Sequence, residues 1–145
     1  MIGLPFEEYD DLKAIVELAR KVKKLVRYVT LSINPLVPKP HTPFQWLPFN
    51  IEELKAKANF LKKELRRENI RAEISKIDEF AIQTALSRGD EKIGELLSKS
   101  IRVKDVKDYL NEIPVDSDLP WDFINHGYKK KRLVREYERL VKTNN

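Results

Sequence analysis

The chain has no cysteine. That absence excludes disulfides, iron–sulfur ligation and thiol nucleophiles within it. Histidine is nearly absent too. His41 and His126 are the only two, far apart in sequence, and neither has a neighbour at metal-ligand spacing. No apolar run approaches the roughly 20 residues that span a bilayer. The opening Met1-Ile2-Gly3-Leu4-Pro5 has no basic leader, so it does not read as a secretory signal. GxSxG, Walker and GxGxxG patterns are missing, which leaves several enzyme classes without support. A soluble cytoplasmic protein without a membrane span is the expectation.

What is present suits one ordinary domain of 145 residues, with 41% apolar side chains for a core and 35% charged ones. The abundance of Lys and Glu fits a heat-stable protein. The net charge of +5 is concentrated at one end. Between Gly127 and Asn145 stand seven bases and only two acids, and the rest of the chain is close to neutral. Lys129, Lys130, Lys131 and Arg132 are candidate nucleic-acid contacts, or simply the solvated end of a helix.

The periodicities predict alternating elements. Met1–Pro5 reads as the end of a strand and a turn. Leu12, Ile15, Ala19, Val22 and Val26 recur at helical spacing after Asp10 and Asp11. Tyr28–Val37 alternates like a strand. Pro35, Pro38, Pro40, Pro43 and Pro48 then forbid helix or central strand, so Pro35–Phe49 is expected as a stiff loop anchored by Phe44, Trp46, Leu47 and Phe49. A loop this long is a candidate for function. Asn50 and Glu53 open a second helix with Leu54, Ala58, Leu61 and Leu65 buried. Arg71–Ile77 follows as a short strand. Helices are expected from Asp78, from Asp90 after the Gly89 stop, around Val103–Leu110 and from about Tyr128. Asp10, Asp11, Glu7 and Glu8 read as helix-start acids. The order strand, helix, strand, helix, strand implies parallel strands with crossover helices. Three parallel strands make a poor sheet alone, so an α/β barrel or sheet is expected to have its remainder elsewhere.

The string Val37-Pro38-Lys39-Pro40-His41-Thr42-Pro43-Phe44-Gln45-Trp46 is the most specific pattern in the chain. It resembles the Pro-rich loop late in the core of a branch of radical S-adenosylmethionine proteins, often fused to a cobalamin-binding-type domain. Met1–Glu7 resembles that branch's MIGLPxE turn, Ser32-Ile33-Asn34-Pro35 its following strand, Ala85–Asp90 its SRGD stretch, and Trp121–Tyr128 its closing segment.

The resemblance implies an incomplete TIM-like barrel of about three strands over residues 1–77, followed by a helical extension over 78–145, packed as one compact unit. It also implies that Gly3, Pro5 and Glu7 lie near S-adenosylmethionine, and that Ser32, Asn34, His41, Thr42 and Phe44 lie on the substrate side. A purely structural reading stands beside it, in which Gly3 and Pro5 make a turn and Phe44 and Trp46 plug the barrel end. The family holds its 4Fe-4S cluster on a CxxxCxxC loop, which this chain lacks. The cofactors therefore belong only to a complete family member, and the isolated chain is expected to be inactive, with no catalytic residue of its own. The implied partner is an N-terminal half carrying the cluster, or a second copy covering exposed apolar sheet surface. A non-catalytic module that binds RNA or an acidic protein through the basic C-terminal helix is the alternative.

Overall fold

The computed structural model describes residues 1–97, 100–127 and 129–142. The fold is mixed α/β and mostly helical, with one small parallel sheet. The chain divides into two compact units, Met1–Leu36 with Ile51–Ile77, and Val37–Asn50 with Asp78–Asn145. Residues 37–50, which the sequence placed with the barrel-like part, thus belong with the helical residues of the second unit. Their apolar anchors Trp46, Leu47 and Phe49 are buried there.

In the first unit, helix α1 (Tyr9–Lys23) precedes strand β1 (Thr30–Ile33), and helix α2 (Ile51–Arg67) precedes strand β2 (Arg71–Ile74). The strands pair in parallel, Leu31 opposite Ala72 and Ile33 opposite Ile74. The expected N-terminal strand is reduced to a single parallel bridge between Ile2 and Pro35. The Ile2 N–H donates to the Asn34 carbonyl at 3.0 Å, and the Leu36 N–H to the Ile2 carbonyl at 2.7 Å.

α1 starts where the Glu8 N–H donates to the Asp11 carboxylate, at 2.9 Å. Leu12 and Ala19 turn into the core, whereas Val22 and Val26 are exposed. α2 buries Leu54, Ala58, Leu61 and Leu65, each buried leucine contributing roughly 1.5–3 kcal/mol. The sheet's exposed face is polar, with Thr30 and Ser32 on β1 and Arg71 and Glu73 on β2. An apolar exposed sheet face was expected; the large exposed apolar side chains of this unit instead stand on and around α1.

In the second unit, helix α3 (Ile77–Arg88) ends at Gly89, and helix α4 (Glu91–Leu97) starts with Asp90 accepting from the Lys92 N–H at 3.1 Å. A Cβ at Gly89 would meet Ile93 Cδ1 at 2.6 Å, so α3 and α4 meet too closely there for a side chain. Val103–Leu110 is two 3₁₀ turns rather than one helix. Helix α5 (Lys130–Lys142) buries Leu133 and Tyr137. Its expected start at Tyr128 lies outside the described residues.

Candidate functional site

The residues singled out from the sequence fall into separate groups. In the first unit Pro5 is the exposed corner of a turn closed by the Glu7 N–H on the Leu4 carbonyl, at 3.1 Å. Gly3 has φ +89°, and a Cβ there would lie 2.6 Å from Leu54 Cδ2. Only glycine meets both conditions without strain. The Glu7 carboxylate accepts from the Gly3 N–H at 2.8 Å and pairs with Lys57 Nζ at 3.1 Å. Lys57 also pairs with Glu53 at 2.8 Å and donates to the Glu7 carbonyl. Both side chains of the Glu7–Lys57 pair are 5% exposed. A buried charge without such a partner would be costly. Burial lowers the Lys57 pKa, but hydrogen bonds to Glu53 and Glu7 outweigh it, and the pKa is raised overall. The Glu7 carboxylate is thereby committed to the fold of its own turn.

Ser32 points to solvent on the polar face of the sheet. Asn34, just past β1, accepts at Oδ1 from the Ser75 hydroxyl at 2.5 Å. Together they give the C-terminal edge of the sheet a small polar rim.

In the second unit His41 has φ +58°, a left-handed backbone that most non-glycine residues avoid. Three bonds hold it there. The His41 N–H donates to Gln45 Oε1 at 2.9 Å, the Thr42 hydroxyl to the Lys39 carbonyl at 2.7 Å, and the Gln45 N–H to the Thr42 carbonyl at 3.1 Å. The same Gln45 Oε1 accepts from Trp121 Nε1 at 2.8 Å, across 76 residues of sequence. One buried amide oxygen therefore fixes the histidine loop and the tryptophan to each other. Phe44 is half-buried beside this turn, with the Leu47 N–H donating to its carbonyl at 3.1 Å.

His41 and Trp121 line a cleft of about 790 Å³ with Pro40, Phe123, Ile124 and His126. The two imidazole centroids are 4.0 Å apart, tilted by 55°. Burial lowers the His41 pKa, the neighbouring His126 adds to the effect, and Asp122 opposes it. His41 is therefore neutral at pH 7, and its buried Nε2 has no hydrogen-bond partner. The cleft offers aromatic and apolar walls, and the His41 Nε2 is buried within its wall. Among the described residues no group of three or more His, Asp or Glu side chains is placed to hold a metal ion.

Arg88 anchors this unit from beneath. It is 3% exposed and donates to the Leu47 carbonyl at 2.7 Å and the Asn111 carbonyl at 2.8 Å. Burial pushes its pKa down to about 10. In the sequence Arg88 stands out only within the Ala85–Asp90 stretch, and His126 only as a lone histidine in the Trp121–Tyr128 segment. No local spacing links His126 to His41, so the pair is legible only in three dimensions.

Of the C-terminal cations, Lys130 is already engaged, 2.8 Å from Asp122 and 2.7 Å from the Ser117 carbonyl. Lys129, Lys131 and Arg132 are exposed. No described helix is long and apolar enough to cross a membrane.

The chain is similar to the uncharacterized protein MJ0966 of Methanocaldococcus jannaschii, with 38% identity over 100 residues. The match covers 69% of this chain and 22% of that protein, so the chain spans about a fifth of the relative's length. No protein-family model and no solved structure matches the chain.

Proposed function

We propose that this chain is a C-terminal portion of a radical S-adenosylmethionine enzyme, an Fe-S oxidoreductase-like protein, and that it shapes the substrate side of the site without catalysing alone. The observation that carries the reading is the behaviour of the Pro38–Trp46 string. Pro40 and His41 of that string, whose sequence resembles the substrate-side loop of the family, line a cleft in which Gln45 ties the loop to Trp121, whereas Thr42 and Phe44 do not line it. A parallel sheet with crossover helices is compatible with part of a barrel. A match to about a fifth of a longer relative is what a portion of a larger enzyme would give.

The residues of this chain do not fit a 4Fe-4S cluster, because there is no cysteine to ligate one. Cluster chemistry would come from a CxxxCxxC-bearing segment outside these 145 residues, and the reading assigns a cytoplasmic compartment to the assembly. In this assembly the chain's own part is to position substrate. The aromatic and apolar walls suit an apolar part of that substrate.

The test is reconstitution. The chain is purified alone and with a CxxxCxxC-bearing N-terminal half of a family member, and 5′-deoxyadenosine formation from S-adenosylmethionine is measured under reducing conditions. A stable complex that forms product, with none from this chain alone, is expected. Failure of the two chains to associate would sink the reading.

A further inference from the structure

Ring faces dominate the cleft of the second unit. His41, Trp121, Phe123 and His126 bring π systems to its lining, and Pro40 and Pro120 add saturated rings. Trp121 is 5% exposed and is fixed by its Nε1 on Gln45 Oε1. His41 is fixed by its backbone N–H on the same oxygen. Phe123 and His126 stand in solvent beside them, Phe123 at 85% exposure. The cleft therefore joins two anchored rings to two rings still open to a ligand. The charged residues of its lining carry both signs, Asp90 and Glu91 beside Lys92. Asp90 is already partly used, since its Oδ1 accepts from the Lys92 N–H at 3.1 Å and from the Tyr109 hydroxyl at 3.2 Å.

We propose that this cleft holds a planar aromatic or heteroaromatic group of no net charge, a substrate class that rests on reading the cleft as the substrate side. Phe123 and His126 can stack on a flat ring, offset or edge to face, and such pairs add to the area the ring buries. An aliphatic group of the same size would gain from buried area alone. The mixed signs along Asp90, Glu91 and Lys92 set a repelling group beside every attracting one, so a net charge of either sign gains little. A volume of about 790 Å³ lies within the range of small-molecule sites and leaves room for substrate beyond the ring.

The test uses the full chain alone, and binding is read from backbone amide shifts on titration. Two probes differ only in ring saturation, N-acetyl-phenylalaninamide and N-acetyl-cyclohexylalaninamide. Indole-3-acetamide supplies a heteroaromatic ring, and phenethylamine and phenylacetate add charge of either sign. The aromatic amide is expected to shift residues around Ser87–Lys92 and Pro120–His126 and to bind at least about fivefold more tightly than the saturated one, the worth of two stacked faces. Indole-3-acetamide is expected to shift the same amides. Phe123→Leu keeps an apolar side chain at an exposed position. It is expected to leave the circular dichroism unchanged and to lower the aromatic preference about twofold or more. Equal affinity for the aromatic and saturated amides would overturn the proposal, as would a preference undiminished in Phe123→Leu, or no shift from any probe at millimolar concentration. So would a gain of about tenfold or more for either charged probe over the neutral amide. Loss of the aromatic preference leaves the reconstitution result standing, and failed reconstitution leaves the probe binding standing, so the two failures are told apart.

Discussion

Two residues carry chemistry that their neighbours restrain. Lys57 is buried within the apolar stripe of α2 and is tolerated only because Glu7 and Glu53 neutralise it. Glu7→Ala is expected to cost about 2–4 kcal/mol in urea denaturation, since it strands a buried ammonium beside a half-exposed Glu53. Replacing both partners, Lys57→Met with Glu7→Gln, is expected to cost less than that single change. His41 shows the opposite pattern, a base whose folded pKa is depressed below its usual 6.5. Its stability contribution is complete above that value and is lost as pH falls through the folded pKa. The melting temperature is therefore expected to fall between pH 7 and pH 5. His41→Asn keeps a residue tolerant of the left-handed backbone and is expected to flatten that dependence.

At the level of elements, α5 is held in its unit by apolar packing and an ion pair. The Trp46 ring lies 5.3 Å from Tyr137, Leu133 is buried, and Lys130 reaches Asp122 and the Ser117 carbonyl. Burial, with Glu112 adding to it, raises the Tyr137 pKa. Tyr137→Ala removes a buried aromatic ring and is expected to cost about 3 kcal/mol or more. Hydrogen exchange should then speed up across α5 while α2 keeps its protection. The same helix end decides the RNA alternative. Neutralising Lys129, Lys131 and Arg132 is expected to leave the chain's electrophoretic behaviour with single-stranded RNA unchanged at physiological salt. A strong, salt-dependent shift abolished by those changes would favour the nucleic-acid module.

On the scale of the whole molecule, element type and order were largely legible before the structure. The stripe Leu54, Ala58, Leu61, Leu65 marks α2 because burial on one face imposes a period near 3.6. Gly89 and Asp90 mark the α3–α4 break because stop and cap chemistry are local. The Pro-rich stretch was legible as a loop because each proline removes a backbone donor. Strand lengths were not. Met1–Pro5 reads as extended, yet only Ile2 finds a ladder partner, because pairing depends on a neighbour the local pattern does not specify. The site was half legible: the string around His41 stood out, whereas His126, Gln45 and Trp121 were joined to it only by folding.

The sequence by itself determined the absence of thiol chemistry, the helix faces and the position of the rigid loop. Each follows from composition or from spacing within about ten residues. Only the tertiary structure decided that the loop packs with the second unit, that Glu7 is committed to Lys57, and that two distant histidines meet with centroids 4.0 Å apart. It also decided how much of the apolar stripe of α1 is covered, with Leu12 and Ala19 in the core and Val22 in solvent. The physical reason is common to all four. Burial and pairing are relations between segments far apart in the chain, and local periodicity records that a face is apolar without recording what covers it.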